Sequence, residues 1–281
     1  MRMTAVLAAA AALALPAAAH AEPRIDTDDT VFDGDYAIVL AGGGYLPGYE
    51  GSDDYKAMPL AGVTGEISGV NFAIRGPSLT VRVLEKRISD NAKIHFSPQV
   101  RYRGNRSGNV KDEVVALLPD LDGVVEGGFR VGVNFDEILS TADGLSIGVS
   151  TRWDISGKGS GMAVTPSATY RLPVSRAQAF GFIVSGQWID GDYADYNYSI
   201  SPEGAAASGL PEFEGKGGFK RFSVGVGTAR DLSGDALDGG LALGAGVLYT
   251  RLYGSAAKTP ITAIRGDRDQ WFAAGGLAYI F

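Results

Sequence analysis

The sequence predicts an all-β protein: a transmembrane antiparallel β-barrel of about twelve strands, with ten or fourteen strands as the alternatives. Three observations predict this fold class. Apolar and polar side chains alternate with a period of two along most of the chain, which is the repeat of a strand. Glycine contributes 40 of the 281 residues and lies within apolar and aromatic segments, where small residues let a sheet curl. After residue 21, no apolar run approaches the ~20 residues of a membrane-spanning helix.

The first 21 residues predict a secretory signal peptide. Arg2 supplies a positive charge, residues 5–19 are short and apolar, and Ala19 and Ala21 form an A-x-A-like cleavage site. We expect cleavage after Ala21, which leaves residues 22–281 as one exported barrel domain. The alternative is an apolar N-terminal helix that the mature protein retains.

Charge and cysteine content exclude several classes of protein. The net charge of -7 becomes -8 when Arg2 is removed, so the chain has no electrostatic basis for binding nucleic acid. There is no cysteine, which excludes disulfides and thiolate metal sites. No cofactor or metal site is predicted.

The first predicted strands cover residues 36–45, 57–67 and 70–84, each with alternating apolar positions. In the third, Phe72 and Ile74 share one face up to Gly76 and Pro77. After this pair, the phase changes and Leu79 falls on the apolar face. Gly76 and Pro77 therefore predict a bulge or bend within one long strand.

The middle strands are predicted at 94–103, 129–135, 145–154, 162–172 and 180–188. The alternation is clearest in 145–154. There Leu145, Ile147 and Val149 lie on one face, and Ser146 and Gly148 lie on the other. This is the pattern of a strand with one apolar side.

The last strands are predicted at 193–201, where the pattern is weaker, and at 222–230, 241–253 and 270–281. We expect the final strand to pair with the first near Tyr36, because closure removes both sheet edges. Gly276, Tyr279 and Phe281 also match the terminal pattern that barrel-assembly machinery reads. Deletion of Phe281 is therefore expected to impair assembly.

Period two fits both a soluble barrel and a membrane barrel, and the composition of the two faces favours the membrane. Small residues cluster on the polar face, as in a crowded lumen, and the apolar faces are scarcely interrupted by charge. Aromatic residues recur near strand ends, which is typical of interfacial girdles. They are Tyr102, Trp153, Tyr170, Trp188, Tyr249 and Trp271.

The predicted inward faces carry a basic stripe. It consists of Arg75, Arg82, Arg101, Arg103, Arg130, Arg152 and Arg171. Glu126 and Asp154 share that side. The stripe has two interpretations: a pore that favours anions, or a filled interior in which arginines pair with carboxylates.

Two further groups of residues are candidate chemical sites. His95 and Ser97 share a face but lie about 7 Å apart, too far for a direct hydrogen bond, so a lumen-lining histidine is preferred to catalysis. The loop 47–55 carries Glu50, Asp53 and Asp54. These fit either a divalent cation or lipopolysaccharide contact, or a solvated turn anchored by aromatics; their spacing is not that of a calcium loop, which favours the turn.

Four stretches, in order along the chain, resemble the MipA/OmpV family of Gram-negative outer-membrane proteins. They are YLPGYEGSDDYKAMPL at 45–60, WDISGKGSG at 153–161, YNYSISPEGAAASGLPEFEGKGGFK at 196–220 and TPITAIRGDRDQWFAAGGLAYIF at 259–281. Within the first, the positions that match the family's loop are Pro47, Tyr49, Gly51, Ser52, Asp53 and Tyr55.

The resemblance implies a barrel in contact with outer-membrane lipid. It also implies a non-enzymatic scaffold that joins a lytic transglycosylase to a murein synthase. Two other functions stay open at this point: a small-solute channel that prefers anions, which the basic stripe favours, and an adhesin or surface antigen that acts through its outer loops.

Overall fold

The computed structural model describes residues 30–106 and 110–281. The predicted signal peptide and its cleavage site after Ala21 lie outside these residues. The described chain forms one antiparallel sheet of thirteen β-segments. They are β1 (Tyr36–Pro47), β2 (Tyr55–Ile67), β3 (Val70–Arg75), β4 (Ser78–Arg82), β5 (Leu84–Ser89), β6 (Ala92–Arg103), β7 (Val124–Asp136), β8 (Gly144–Asp154), β9 (Met162–Pro173), β10 (Gln178–Ile189), β11 (Gly218–Asp231), β12 (Gly240–Leu252) and β13 (Asp269–Ile280).

The sheet closes into a barrel. β1 pairs with β13 from Ile38 opposite Ile280 to Tyr45 opposite Ala273. Segments β4 and β5 both pair with β6 and are interrupted only at Val83, so they form one barrel strand. The result is a closed antiparallel barrel of twelve strands, and this prediction is confirmed.

The two faces of the wall differ as the alternation predicts. On β8, Ile147, Val149 and Trp153 are exposed on the outside, whereas Ser150 is buried on the inside. The same arrangement recurs around the barrel, with exposed Val224, Leu243 and Leu277 on the outer face. An apolar exterior around a polar interior is the arrangement of a lipid-embedded barrel.

The prediction of one long strand at 70–84 was wrong. Gly76 has a φ of +53° and, with Pro77, forms the tip of a hairpin between β3 and β4. Both segments are short, with six and five residues. Because the chain turns back at this point, the phase change reflects two antiparallel segments.

The predicted strand at 193–201 was also wrong, because residues 191–198 form a helix. Asp190 caps it: the side chain accepts a hydrogen bond from the backbone N–H of Tyr193 at 2.9 Å. In the second half of this segment, Tyr196, Tyr198 and Ile200 occupy every second position and so imitate period two. The hairpin adds one strand to the predicted set and the helix removes one. The expected number of strands, twelve, therefore equals the observed number.

The two ends of the barrel differ. The chain enters β1 and leaves β13 at the short-turn end, with connections at 68–69, 90–91, 137–143, 174–177 and 232–239. The long-loop end carries the connections 48–54, 104–123, 155–161, 190–217 and 253–268. Its α-helices are α1 (Gly191–Tyr198), α2 (Pro202–Ser208), α3 (Gly254–Lys258) and α4 (Pro260–Ala263), and a 3-10 helix covers Val115–Leu117. None of the helices in the described ranges is long and apolar enough to cross a membrane.

Candidate functional site: a capped cationic cavity

The loops of the long-loop end fold together into a cap. Tyr49, Val115, Ile200 and Ile261, each from a different loop, are buried against one another in a small apolar core. A second core joins Tyr193 and further residues of α1 to the barrel rim. The cap is therefore a packed structure over one mouth of the barrel, because each loop buries apolar area that it could not bury alone.

The family-like loop forms part of this cap. Pro47 ends β1, Tyr49 and Ser52 are buried, and Ser52 forms a β-bridge with Gly266 of another loop. Gly51 has a φ of +93°, a conformation that favours glycine. Tyr55 begins β2 and stacks on Tyr45 at 5.3 Å between ring centroids, whereas Asp53 is exposed. The loop therefore differs from a simple solvated turn, because half of it is inside the cap.

Glu50 of this loop points into the barrel and binds charges from β11. Its carboxylate lies 2.9 Å from Lys220 Nζ and 3.6 Å from an Arg221 nitrogen. It also accepts a hydrogen bond from the Tyr198 hydroxyl at 2.8 Å. Lys220 in turn donates to the hydroxyl of Tyr193 at 2.9 Å. Burial alone would raise the pKa of Glu50, but the two cations and these hydrogen bonds lower it to about 2.

All seven predicted arginines occupy inward-facing ladder positions. Arg101 and Arg103 both bond to Glu126, each at 2.6 Å, and Arg152 lies 3.6 Å from the same carboxylate. Glu126 is only 2% exposed, so one buried carboxylate holds three guanidinium groups. Arg103 also donates to Asn197 of α1, which ties the barrel wall to the cap.

The other four arginines are spread along the lumen. Arg82 pairs with Glu85 at 2.6 Å, and Arg130 donates to Ser167 at 2.9 Å. In the described ranges, neither Arg75 nor Arg171 has an ion-pair partner. The stripe is thus divided into a clustered part beneath the cap, where arginines pair with a carboxylate, and a dispersed part below it. Whether the dispersed part serves a pore that favours anions stays a prediction.

Beneath the cap lies a cavity of about 610 Å³. One carboxylate lines it, that of Glu50, together with six cationic side chains. The six are Lys56, Arg101, Arg103, Arg106, Lys220 and Arg221. The cavity is thus strongly positive inside a chain whose net charge is -7, and such a concentration of charge attracts anions.

Sequence reasoning found Arg101, Arg103 and Glu50 but missed Lys220, Arg221 and Arg106. Lys220 and Arg221 are adjacent on β11, and a bulge opposite Gln187 and Trp188 lets both reach the interior. A strict alternation places one of two neighbours outside, so period two alone would not identify this pair.

His95 lies on the inner face and is 4% exposed, as expected of a lumen-lining histidine. Asp53 and Asp54 do not converge with Glu50, and no cluster of three potential metal-ligating side chains occurs among the described residues. At the other end of the barrel, Gly276 and Tyr279 lie on β13. The backbone N–H of Phe281 donates to the carbonyl oxygen of Ala37 at 2.9 Å, so the last residue extends the closing ladder.

The comparison with solved structures returns bacterial outer-membrane proteins at low similarity. The toluene transporter TodX of Pseudomonas putida is 11% identical, with a TM-score of 0.36, and 88% of this chain aligns with 89% of that chain. The channel DcaP of Acinetobacter baumannii is 11% identical, with a TM-score of 0.37 and coverage of 88% and 96%. OmpT of Vibrio cholerae is 8% identical, with a TM-score of 0.36 and coverage of 88% and 97%. These scores are too low to carry an argument, and the architecture stands on the strand pairing.

No curated protein matches the chain. The family comparison is decisive, because the model described as MltA-interacting protein MipA matches residues 39–281, from the first strand to the last residue. This range contains all four stretches that carry the resemblance. The chain belongs to the MipA (MltA-interacting protein) family.

Proposed function

We propose that this protein is a non-enzymatic scaffold of the Gram-negative outer membrane that holds a lytic transglycosylase, and with it a murein synthase, near the cell wall. The observation that carries the proposal is the family match over residues 39–281, whose description names an interaction with MltA. The closed barrel with an apolar exterior supports the location, since such barrels are typical of that membrane. Export by the signal peptide at 1–21 and assembly by barrel-assembly machinery belong to the same proposal.

A scaffold for wall enzymes must present a surface to the periplasm. In outer-membrane barrels the short turns face that side, which assigns the short-turn end to it. The turn 137–143 projects Leu139, which is 81% exposed, beside Ile138, which is 41% exposed. Asp143 is buried and accepts hydrogen bonds from both backbone N–H groups, at 2.7 and 2.8 Å, and from the Tyr170 hydroxyl. An apolar tip held this firmly suits docking of a protein partner, because little entropy is lost on binding.

Affinity capture from solubilised membranes tests the proposal. The tagged full-length protein should retain a lytic transglycosylase, and Leu139→Asp should reduce its recovery by about tenfold, the effect of losing one apolar anchor. Leu232→Asp is the matched control, because Leu232 is also an exposed leucine of the short-turn end, at 54%. If the tagged protein without substitutions captures no murein enzyme, the proposed scaffold role is wrong.

The cationic lumen favours an anion-preferring channel as a second candidate. The cap covers the long-loop mouth, so a conducting state requires the cap to move. Purified protein in planar bilayers decides between the two: anion-selective conductance steps at neutral pH would support a channel, and their absence would rule this candidate out.

A further inference from the structure

The barrel wall has an opening on one side, next to the cationic cavity. β3 pairs with β2 only from Gly62 to Ile67, because the β3–β4 hairpin ends at 76–77. Residues 55–60 of β2 therefore extend beyond the hairpin for roughly 20 Å at the ordinary rise of a strand. On the far side, β4 pairs with β6 from Gln99 to Arg101 only.

The opening is bounded on every side. Its lower margin is the hairpin tip, where Gly76 N–H donates to the Ala61 carbonyl and Tyr102 N–H donates to the Pro77 carbonyl. Its upper margin is formed by Lys111, whose Nζ donates to the Tyr55 carbonyl at 3.0 Å. We call this opening the window: it lies between residues 55–60, residues 76–77 and Tyr102.

Among the described residues, no strand pairs with residues 55–60 of β2 on the side of the window, and this edge is adapted to lack a strand partner. The backbone groups of every second residue in a strand point to the same side. Because the carbonyl of Ala61 points toward the hairpin, the backbone groups of residues 57 and 59 point into the window. Position 59 is proline, which has no N–H to leave unpaired, and a free edge is one of the few places in a sheet that suit proline. In hydrocarbon an exposed edge is costly, unless it lines a wet cavity or a bound group covers it.

The window lies at the depth of the aromatic girdle. Tyr45 pairs with Ala57 and is 56% exposed on the outer face, and Tyr102, on the opposite margin, is 51% exposed. Tyrosine at this position marks the boundary between head groups and acyl chains. The window therefore opens sideways into the region where lipid head groups lie.

Behind the window is the cationic cavity, whose lining includes residues of both margins: Lys56 and Met58 on β2, and Pro77 and Tyr102 opposite. Two of its donors are buried without an acceptor in the part of the chain that the structure describes. Arg106 is 6% exposed and its Nε has no hydrogen-bond partner, and Tyr49 is 7% exposed with an unpartnered hydroxyl. Buried donors of this kind are satisfied by a bound acceptor.

Outside the window, the wall is apolar and indented. A shallow groove on the outer face is lined by small residues of β1 and β13 between Tyr45 and Pro59. Met58 lines both this groove and the cavity. The cationic cavity and an apolar groove thus meet at one residue.

We propose that the window is a lateral port that binds a phospholipid of net negative charge, the phosphate in the cavity among Lys56, Arg103 and Arg106 and an acyl chain in the outer groove beside Met58. Arginine and lysine recognise phosphate through charge-assisted hydrogen bonds. The apolar chain stays on the lipid side. This inference does not depend on the scaffold role.

Native mass spectrometry of the full-length protein in detergent tests the port. Dioleoyl phosphatidylglycerol should bind with a stoichiometry of one and about tenfold more tightly than dioleoyl phosphatidylcholine, which carries no net charge. Arg106→Gln and Lys56→Gln should each weaken phosphatidylglycerol binding by about fivefold. Lys158→Gln is the control, since Lys158 is a cation of the same end whose partner is Asp122, outside the cavity.

Two further measurements separate a lipid from a soluble anion. Met58→Trp narrows the window without removing charge, and it should weaken phosphatidylglycerol binding while the heat-modifiable gel mobility of the folded barrel is kept. Millimolar inorganic phosphate should fail to displace the lipid. Full displacement by phosphate together with no effect of Met58→Trp would show a soluble-anion site and overturn the port. Equal retention of the two lipids, or no effect of either charge substitution, would also overturn it.

Discussion

The carboxylate of Glu50, in the loop 48–54, forms an ion pair with Lys220 of β11, whose side chain is only 3% exposed. A buried ammonium without a counter-ion is among the most costly groups in a folded protein. The packing of the cap and the charge of Lys220 therefore depend on each other. Tyr198 of α1 shares the same carboxylate, so a single residue joins the loop 48–54, the loop 190–217 and the barrel wall.

Substitution of Glu50 by glutamine should destabilise the protein by about 2 kcal/mol, because it leaves Lys220 buried with no negative partner. Urea unfolding in detergent, followed by tryptophan fluorescence, measures the change. Trp153, Trp188 and Trp271 all lie toward the long-loop end, so their fluorescence reports on the region that is altered.

Glu214→Gln is the matched control for this substitution. Glu214 lies in the same loop system and pairs with Lys216 at 3.8 Å, but both side chains are highly exposed. Exposed ion pairs contribute little to stability. Equal unfolding midpoints for Glu50→Gln and the native protein would contradict the role assigned to Glu50.

The same carboxylate predicts a dependence on pH. The pKa of Glu50 falls from 4.5 to about 2 on folding, so the folded protein holds its charged form more strongly than the unfolded chain does. The stabilisation is complete above pH 4.5 and is lost as the pH falls from 4.5 to 2. The protection factors of amides in the loop 190–217, which compare measured hydrogen exchange with the intrinsic rate at each pH, should therefore fall over this interval. Glu50→Gln should lack the transition, and a loop equally protected at pH 5 and pH 2 in the native protein would refute the assignment.

At the scale of elements, the seam between β1 and β13 closes the barrel. Gly42 and Gly276 face each other across it on the inner face. A Cβ atom built on Gly276 would collide with the carbonyl oxygen of Ala41 and the Cα of Gly42. The close approach of the β1 and β13 backbones therefore requires glycine at position 276, which is also the glycine of the C-terminal pattern predicted to be read by barrel-assembly machinery.

Gly276→Ala should destabilise the closed barrel by roughly 1–3 kcal/mol, the cost of inserting a methyl group into a packed site. The folded fraction on a cold, unboiled gel measures the effect. Gly275→Ala is the control, because its Cβ would lie 3.5 Å from the nearest atom, an ordinary contact. If both variants fold as the native protein does, the seam tolerates side chains and the argument is wrong.

The elements differ in how well the sequence predicts them, for physical reasons. β8 is predictable, because lipid on one side and a polar lumen on the other impose alternation on each residue. The short β3–β4 hairpin is not, because Gly76 and Pro77 suit a bend as well as a turn. α1 is missed, because Tyr196, Tyr198 and Ile200 fall on every second position by chance and the helix cap at Asp190 is a single residue.

The cap and its cavity were the least predictable part of the site. Glu50 and Lys220 are far apart in sequence, and neither alone indicates the other. The inward orientation of Arg101 and Arg103 follows from the alternation of side chains along β6. Their convergence on Glu126, however, depends on the register in which β6 pairs with β7. Register and loop packing are long-range properties, whereas periodicity is local.

At the scale of the whole molecule, the twelve-strand ladder is continuous except at the window. Each strand is held on both sides along most of its length, so unfolding must break many backbone hydrogen bonds together. The cap adds two apolar cores over one mouth of the barrel. The apolar outer surface of the wall is covered by lipid or detergent. Within the part of the chain that the structure describes, residues 55–60 of β2 present a strand edge that is open to detergent.

This continuity predicts that the protein resists dodecyl sulfate at room temperature and unfolds in it only on heating. The unboiled protein should migrate faster than the boiled protein on a gel, because the closed barrel is more compact than the extended chain. It should also sediment with outer membranes when cells are fractionated. The Glu50→Gln variant, whose barrel wall is unchanged, should keep the mobility shift but lose it at a lower temperature. A single mobility before and after boiling, or recovery in the soluble periplasmic fraction, would contradict both the closed wall and its place in the membrane.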